Sequence, residues 1–300
     1  CGDGRCDSPG HSAKYGTYTL MDEKTNLIIE FSVVQVTEVT SSNAMEYEGC
    51  KRALNLIKKK KIPTGCLTTD RHTTITAKMR TNYSNIVHQY DLWHLSKWVT
   101  KKLTKKAKKK ACEELLPWIQ SVSNHLWYCA ATCDKNVDIL REKWLSLLHH
   151  ITGKHHWKAS KEFRLVKKCG HPRITAKDQR EINWLESGSP PHVALEEIVT
   201  NKKLLKDIEK LNEFHHTDEL ESYHSVMTKY VPKQEHFSYN GMVARTQLAI
   251  LDHDANVGRL KLRKGQVKER NVTKLLVESR ERIGWPRKLR SQRPTNMLKE

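Results

Sequence analysis

The sequence predicts an α/β fold over residues 1–92 followed by a predominantly helical stretch. Three observations lead there. Short strand-like runs alternate with helical ones in the order β-β-helix-β-helix-β up to Asp91. Two of those strands, Cys66 to Asp70 and Ile86 to Asp91, end on an acid. Between Cys112 and His215 no convincing strand occurs, while several tryptophan-bearing helical segments do.

In order, Cys1 to Gly16 reads as a glycine-rich turn carrying Asp3 and Asp7, placed ahead of a strand from Thr17 to Met21. Asp22 to Asn26 turns the chain into a second strand, Leu27 to Val39. Asn43 to Lys61 reads as a helix with Ala44, Ala53, Leu54 and Ile57 on one stripe and lysines at its end, where they suit the helix dipole. Pro63-Thr64-Gly65 breaks the chain, and Arg71 to Arg80 is again helical between the two acid-ended strands. Trp93 to Lys110 is a long basic helix, and 93–214 is expected to form an all-helical insertion. Ser187 to Pro191 is its clearest break, and Ala194 to Phe214 reads as one helix. Glu219 to Tyr230, stopped by Pro232, and Tyr239 to about Val257 close the core over 215–258. The basic tail, 259–300, is expected to be disordered or only partly helical.

The chain has 300 residues, of which 37% are hydrophobic, and a net charge of +19. Such a balance allows a buried core and favours a polyanionic partner, most simply nucleic acid. No apolar run approaches the length of a membrane span, and no amphipathic lipid-facing run is evident, so no membrane partner is expected. The eight cysteines suit a reducing, intracellular setting, where clustered Cys and His more often bind metal than form disulfides. The chain begins at Cys1 rather than Met, so a preceding segment with its targeting information is expected to be missing.

Asp3 near the first strand, Asp70 at the end of a central strand and Glu221 on a late helix form an acidic constellation. About three carboxylates from separated elements are what a Mg²⁺ or Mn²⁺ pair needs for phosphodiester chemistry, because these ions take oxygen ligands and keep several waters. Glu221 shares a helix face with His224 and Ser225 through i+3 and i+4 spacing. The competing readings are a turn aspartate bonding its own backbone and a solvated helix glutamate.

The blocks around these acids resemble, in order, those of eukaryotic DDE cut-and-paste transposases, Kolobok-like elements in particular. Asp3-Gly4, then Gly10 to Gly16 and the Asp22 to Phe31 hairpin, are similar to the first catalytic block. Thr69-Asp70-Arg71-His72 is similar to the second, and Asp91-Leu92-Trp93-His94-Leu95-Ser96-Lys97 to the Asp/Cys-x-x-His-x-x-Lys block that follows it. Leu220 to Ser225 with Lys229 to Lys233 resembles the third-acid block, and Ala244 to Ala249 with Asp252-His253 the closing helix. The resemblance spans about residues 1–260 and implies a ribonuclease-H-like core with an insertion before the final catalytic helix. It implies Asp3, Asp70 and Glu221 as ligands of two Mg²⁺ or Mn²⁺ ions, with Asp7 and Glu219 as alternatives at the first and third positions. His94 either lies near the site or caps a helix, and His224 is site-adjacent. The implied activity is DNA strand cleavage and transfer, with transposon ends and target as partners, a homo-oligomeric active form and a nuclear location. A domesticated protein that keeps the fold and binds DNA or chromatin without cutting is the alternative, and a nuclease without strand transfer a third. The DNA-binding module usual in such elements is not matched in this sequence, so target recognition is not expected to be encoded here.

Cys129 and Cys133, at i and i+4, together with Cys169 and His171, are candidates for a structural Zn²⁺ site, with His149, His150, His155 and His156 between them. The alternative is free cysteine buried in a helical core. Lys101, Lys102, Lys105, Lys106, Lys108, Lys109 and Lys110 are candidates for DNA phosphate contacts or nuclear import, supported by the basic stretch from Arg280 to Arg293, or else a solvated helix end.

Overall fold

A computed structural model describes residues 1–9 and 12–263; of the expected basic tail, 259–263 continue a helix, and 264–300, with Arg280–Arg293, lie outside the described residues. The chain is a mixed α/β protein with small sheets. It divides into two compact units, one combining Cys1–Leu95 with the described part of 213–269 and the other spanning Ser96–Asn212.

In the first unit, β1 (Gly2–Cys6), β2 (Tyr15–Met21) and β3 (Ile28–Gln35) form an antiparallel sheet with β2 in the middle. Residues 2–6 are therefore strand, where a glycine-rich turn was expected. Gly2 packs against Tyr18 and Leu20, and ladder pairing to β2 overrides the low strand propensity of glycine. Every residue of β2 is buried, and its two faces serve two cores. Tyr15 and Met21 join Val33 and the apolar residues Leu220, Tyr223, Met227 and Met242. Tyr18 and Leu20 join Cys50, Ala53, Leu54 and Ile57 on the opposite face. This two-sided burial follows the period-two alternation of strand side chains.

The second of those layers rests on α1 (Ser42–Lys59), whose N-cap Ser41 accepts a bond from the Ala44 N–H at 3.2 Å. The expected second strand ends earlier than Val39, because Val36–Glu38 coil into a 3₁₀ turn closed by Glu38 on the Gln35 N–H at 2.7 Å. β4 (Cys66–Thr69) and β5 (Val87–Tyr90) pair in parallel, separated by α2 (Thr73–Asn82). α3 (Leu92–Ala107) follows β5, and the unit is completed by α10 (Asp218–Tyr230) and α11 (Tyr239–Arg263).

The second unit contains most of α3 and then α4 (Ile119–Ala131), α5 (Val137–Leu145), α6 (Leu147–His150), α7 (Ala176–Glu181), α8 (Pro190–Val199) and α9 (Lys202–Ile208). Its core includes Trp118 and Trp144, whose indole N–H groups donate to the Asn183 and Val199 carbonyls at 3.1 and 3.0 Å. The expected helix from Ala194 to Phe214 is broken, since Asn201 leaves α8 and caps α9 by accepting from the Lys203 and Leu204 N–H groups. The unit is also not all helical. Residues 154–175 are irregular, with one antiparallel bridge between His156 and Lys168. The Glu142 carboxylate orders that segment by accepting the N–H groups of Arg164, Leu165 and Val166 at 2.9, 2.8 and 2.7 Å. Among the described residues no helix is long and apolar enough to cross a membrane.

Met227 is fully buried between β2 and α11, whereas Leu251 on α11 is 65% exposed. Met227→Ala is expected to cost about 2–5 kcal/mol and Leu251→Ala less than about 0.5 kcal/mol. Urea unfolding followed by circular dichroism reads both, and equal losses would contradict this packing.

Candidate functional site

Strand ladders and helix starts bring five carboxylates to one region of the first unit. Asp3 lies on β1 opposite Thr19 of β2, the strand that packs against α10. The residue after it must be small. A Cβ on Gly4 would lie 2.6 Å from the Glu46 Cγ, so the missing side chain lets the α1 glutamate settle over β1. Asp70 directly follows β4, and Glu221 sits in the first turn of α10, where the helix dipole favours an anion.

His94 on α3 gathers these groups. Its Nδ1 is 3.3 Å from the Asp70 Oδ2, and its Nε2 is 3.3 Å from the Glu221 Oε1 and 3.6 Å from the Asp91 Oδ2. One imidazole thus spans three carboxylates, so His94 belongs to the site. His224, one turn along α10 from Glu221, faces Asp3 with Nδ1 3.4 Å from Oδ2. Asp3, Glu46, Glu221 and His224 line an open cleft.

Asp91 was quoted in the motif but not assigned to the site, and the structure gives it a positioning role. Its buried carboxylate accepts the Trp93 N–H at 3.0 Å, at the start of α3, and the Thr217 hydroxyl at 2.9 Å, at the start of α10. It therefore holds the helices that carry His94 and Glu221. Glu46 was missed altogether. A signal existed, because Glu46 falls on the α1 stripe of Cys50, Ala53, Leu54 and Ile57 at i+4, i+7, i+8 and i+11. Asp7 and Glu219 take no part. Asp7 is buried, its Oδ1 accepting the Lys14 N–H at 3.0 Å and its carbonyl the Gln234 N–H at 2.9 Å, which ties down the β1–β2 connection. Glu219 is exposed on α10, whereas Glu221 meets His94.

The acids repel one another in a partly desolvated place. Burial, then the charge of Asp3, pushes the Asp70 carboxyl up to about 7, against the attraction of His94. Its side chain is 32% exposed as a whole, yet Oδ1 is sealed from solvent without a hydrogen-bond partner, which explains a penalty so large. Burial, Asp3 and Asp70 raise Glu46 to about 8. A sealed, unpartnered carboxylate oxygen amid like charges suits a cation.

The second unit holds another cluster. His150, His155, Cys169 and His171 bring one ligand atom each within 4.8 Å of the others. Cys169 and His171 thus come together as expected, but Cys129 and Cys133 do not join them. α4 ends at Ala131, so Cys133 lies past the helix and the i, i+4 face does not extend to it. The Cys129 Sγ contacts the His125 Nε2 at 3.4 Å, and the Cys133 Sγ turns to the Ala130 and Asn212 carbonyls. His149 stacks on Trp157. Burial pushes the Cys169 thiol up to about 12 and the His155 imidazole down to about 4.

Of the basic run, Lys101, Lys102, Lys105, Lys108, Lys109 and Lys110 are exposed, while Val99, Leu103 and Ala107 form the buried stripe of α3. Lys106 is half-buried and pairs with Glu197, and Lys102 lies 5.3 Å over the Trp98 ring. No protein family model, curated protein or solved structure matches this chain.

The raised carboxyls set a pH dependence in the metal-free protein. Unfolded carboxyls titrate near pH 4, so between about pH 4 and 8 the folded state holds more protons than the unfolded one. The contribution of Asp70 and Glu46 to stability is full below that range and is lost as pH rises through it. Asp70→Asn should therefore melt higher than the parent at pH 8, with the gap closing towards pH 4. Parallel melting curves across that range would contradict the assignment.

Proposed function

We propose that this chain is the catalytic domain of a DDE-type transposase, built on a ribonuclease-H-like core and acting on DNA with Mg²⁺ or Mn²⁺. The observation that carries the reading is the convergence of Asp70, Glu221 and Asp91 on His94, with Asp3 close enough to raise the Asp70 carboxyl and both of them close enough to raise that of Glu46. The order of elements supports it: three antiparallel strands, a helix, then two parallel strands around a helix, with β4 beside β1.

Asp3, Asp70 and Glu221 are the residues that would hold the ions. Bound divalent cations supply Lewis-acid activation of an attacking hydroxyl and charge stabilisation of the leaving oxygen. The protein's share is to fix those carboxylates on one strand, just past the end of another and at a helix start, braced by Asp91 and Thr217. His94 offers a proton carrier in contact with both Asp70 and Glu221. His224 orients Asp3.

A net charge of +19 supports DNA as partner, both as transposon ends and as target, and the exposed lysines on α3 offer phosphate contacts. A nuclear location and a homo-oligomeric active form belong to the same proposal. The alternative reading, a DNA- or chromatin-binding protein without cleavage, rests on the same charge and is separated by the test.

Nicking of supercoiled DNA in Mg²⁺ or Mn²⁺ is the measurement. Asp3→Asn, Asp70→Asn and Glu221→Gln should each lower it at least about a hundredfold while DNA retention in a gel-shift assay is kept. Nicking that survives all three changes overturns the catalytic assignment. DNA retention by a parent chain that does not nick favours the binding protein.

A further inference from the structure

We infer that the second unit contains a tetrahedral Zn²⁺ site formed by His150, His155, Cys169 and His171. Three imidazoles and one thiolate are a complete ligand set for zinc, and four protein ligands make a closed, structural site rather than a catalytic one.

The separations from the His150 Nδ1 match the ion, and all four ligand atoms lie within 4.8 Å of one another. Zinc–nitrogen and zinc–sulfur bonds of about 2.0–2.1 and about 2.3 Å set tetrahedral ligand atoms about 3.3–3.6 Å apart. The His150 Nδ1 lies 3.3 Å from both the Cys169 Sγ and the His171 Nε2. The His171 Nδ1 donates to the Pro172 carbonyl at 2.7 Å, so in the neutral ring the unprotonated Nε2 is the nitrogen that faces the cluster. That outward bond is the brace by which metal-binding imidazoles fix their tautomer. Both ring nitrogens of His155 are sealed from solvent without a hydrogen bond, with Gln179 near the ring but outside bonding geometry.

The surroundings are built for it. The Cys169 N–H donates to the His155 carbonyl at 3.0 Å and the Trp157 N–H to the Lys167 carbonyl at 3.0 Å, so two ligands face each other across an antiparallel pair of segments. Gly170, between Cys169 and His171, has no room for a Cβ, which would fall 1.7 Å from the Tyr128 hydroxyl oxygen. The Trp184 ring packs 5.5 Å from His150 and 5.3 Å from His155, giving the cluster an apolar wall. The metal would fasten 155–171 to the end of α6, beside the hold that the Glu142 carboxylate of α5 has on residues 164–166.

The test is metal analysis of the chain produced in zinc-supplemented medium, with cobalt(II) exchanged in as a spectroscopic probe. About one zinc per chain is expected, with tetrahedral d–d bands and a thiolate-to-cobalt charge-transfer band on exchange. Cys169→Ala and His155→Ala should each weaken zinc at least about tenfold, while Cys129→Ser and Cys133→Ser retain it. Should the first two variants fail to fold, alkylation of the parent chain decides. Cys169 should react at least about tenfold faster after chelation, read by peptide mass spectrometry. A folded parent chain with no zinc and no cobalt bands overturns the site. Zinc lost with Cys129→Ser and kept with Cys169→Ala also overturns it.

Discussion

The constraint on which the first unit depends is the mutual repulsion of carboxylates held in partial burial. Five acids crowd around two imidazoles, and Asp70 carries a sealed oxygen with no donor. In a protein made only to be stable, such a group would face water or meet an arginine. Its retention here costs stability above neutral pH and is what makes the cleft able to attract a cation.

Holding like charges together requires rigid anchors. Asp3 is fixed by the β1–β2 ladder, and Glu46 by a helix laid over a strand that has only hydrogen at Gly4. The starts of α3 and α10 are joined through one buried carboxylate, with Asp91 accepting from the Trp93 N–H and the Thr217 hydroxyl. That bond replaces the usual side-chain cap of α10 and fixes where Glu221 stands.

The second unit solves a different problem. Its helices bury two tryptophans well, but residues 154–175 have no ladder of their own and lean on side chains for order. Glu142 gathers three backbone N–H groups there, and the histidine–cysteine cluster stands at the base of the same segment. Buried polar groups used in this way specify one arrangement of a segment too short of apolar residues to pack by itself.

Much of the mixed α/β order was legible from local pattern, because strand alternation, lysine-ended helices and proline breaks act over a few residues. Asp3, Asp70 and Glu221 were legible too, since each sits in a short motif, whereas for His94 the motif left a helix cap open as the alternative. The structure alone decided that residues 2–6 pair as a strand, because glycine gives no local strand signal and the ladder partner lies beyond the turn. It alone brought Glu46 into the cleft, for a single acid on an apolar stripe acquires meaning only from the strand beneath it. The exchange of Cys129 and Cys133 for His150 and His155 has the same origin. Spacing along the chain tells which residues share a helix face, but where that helix stops, at Ala131, and what a long loop folds back upon are set by tertiary packing.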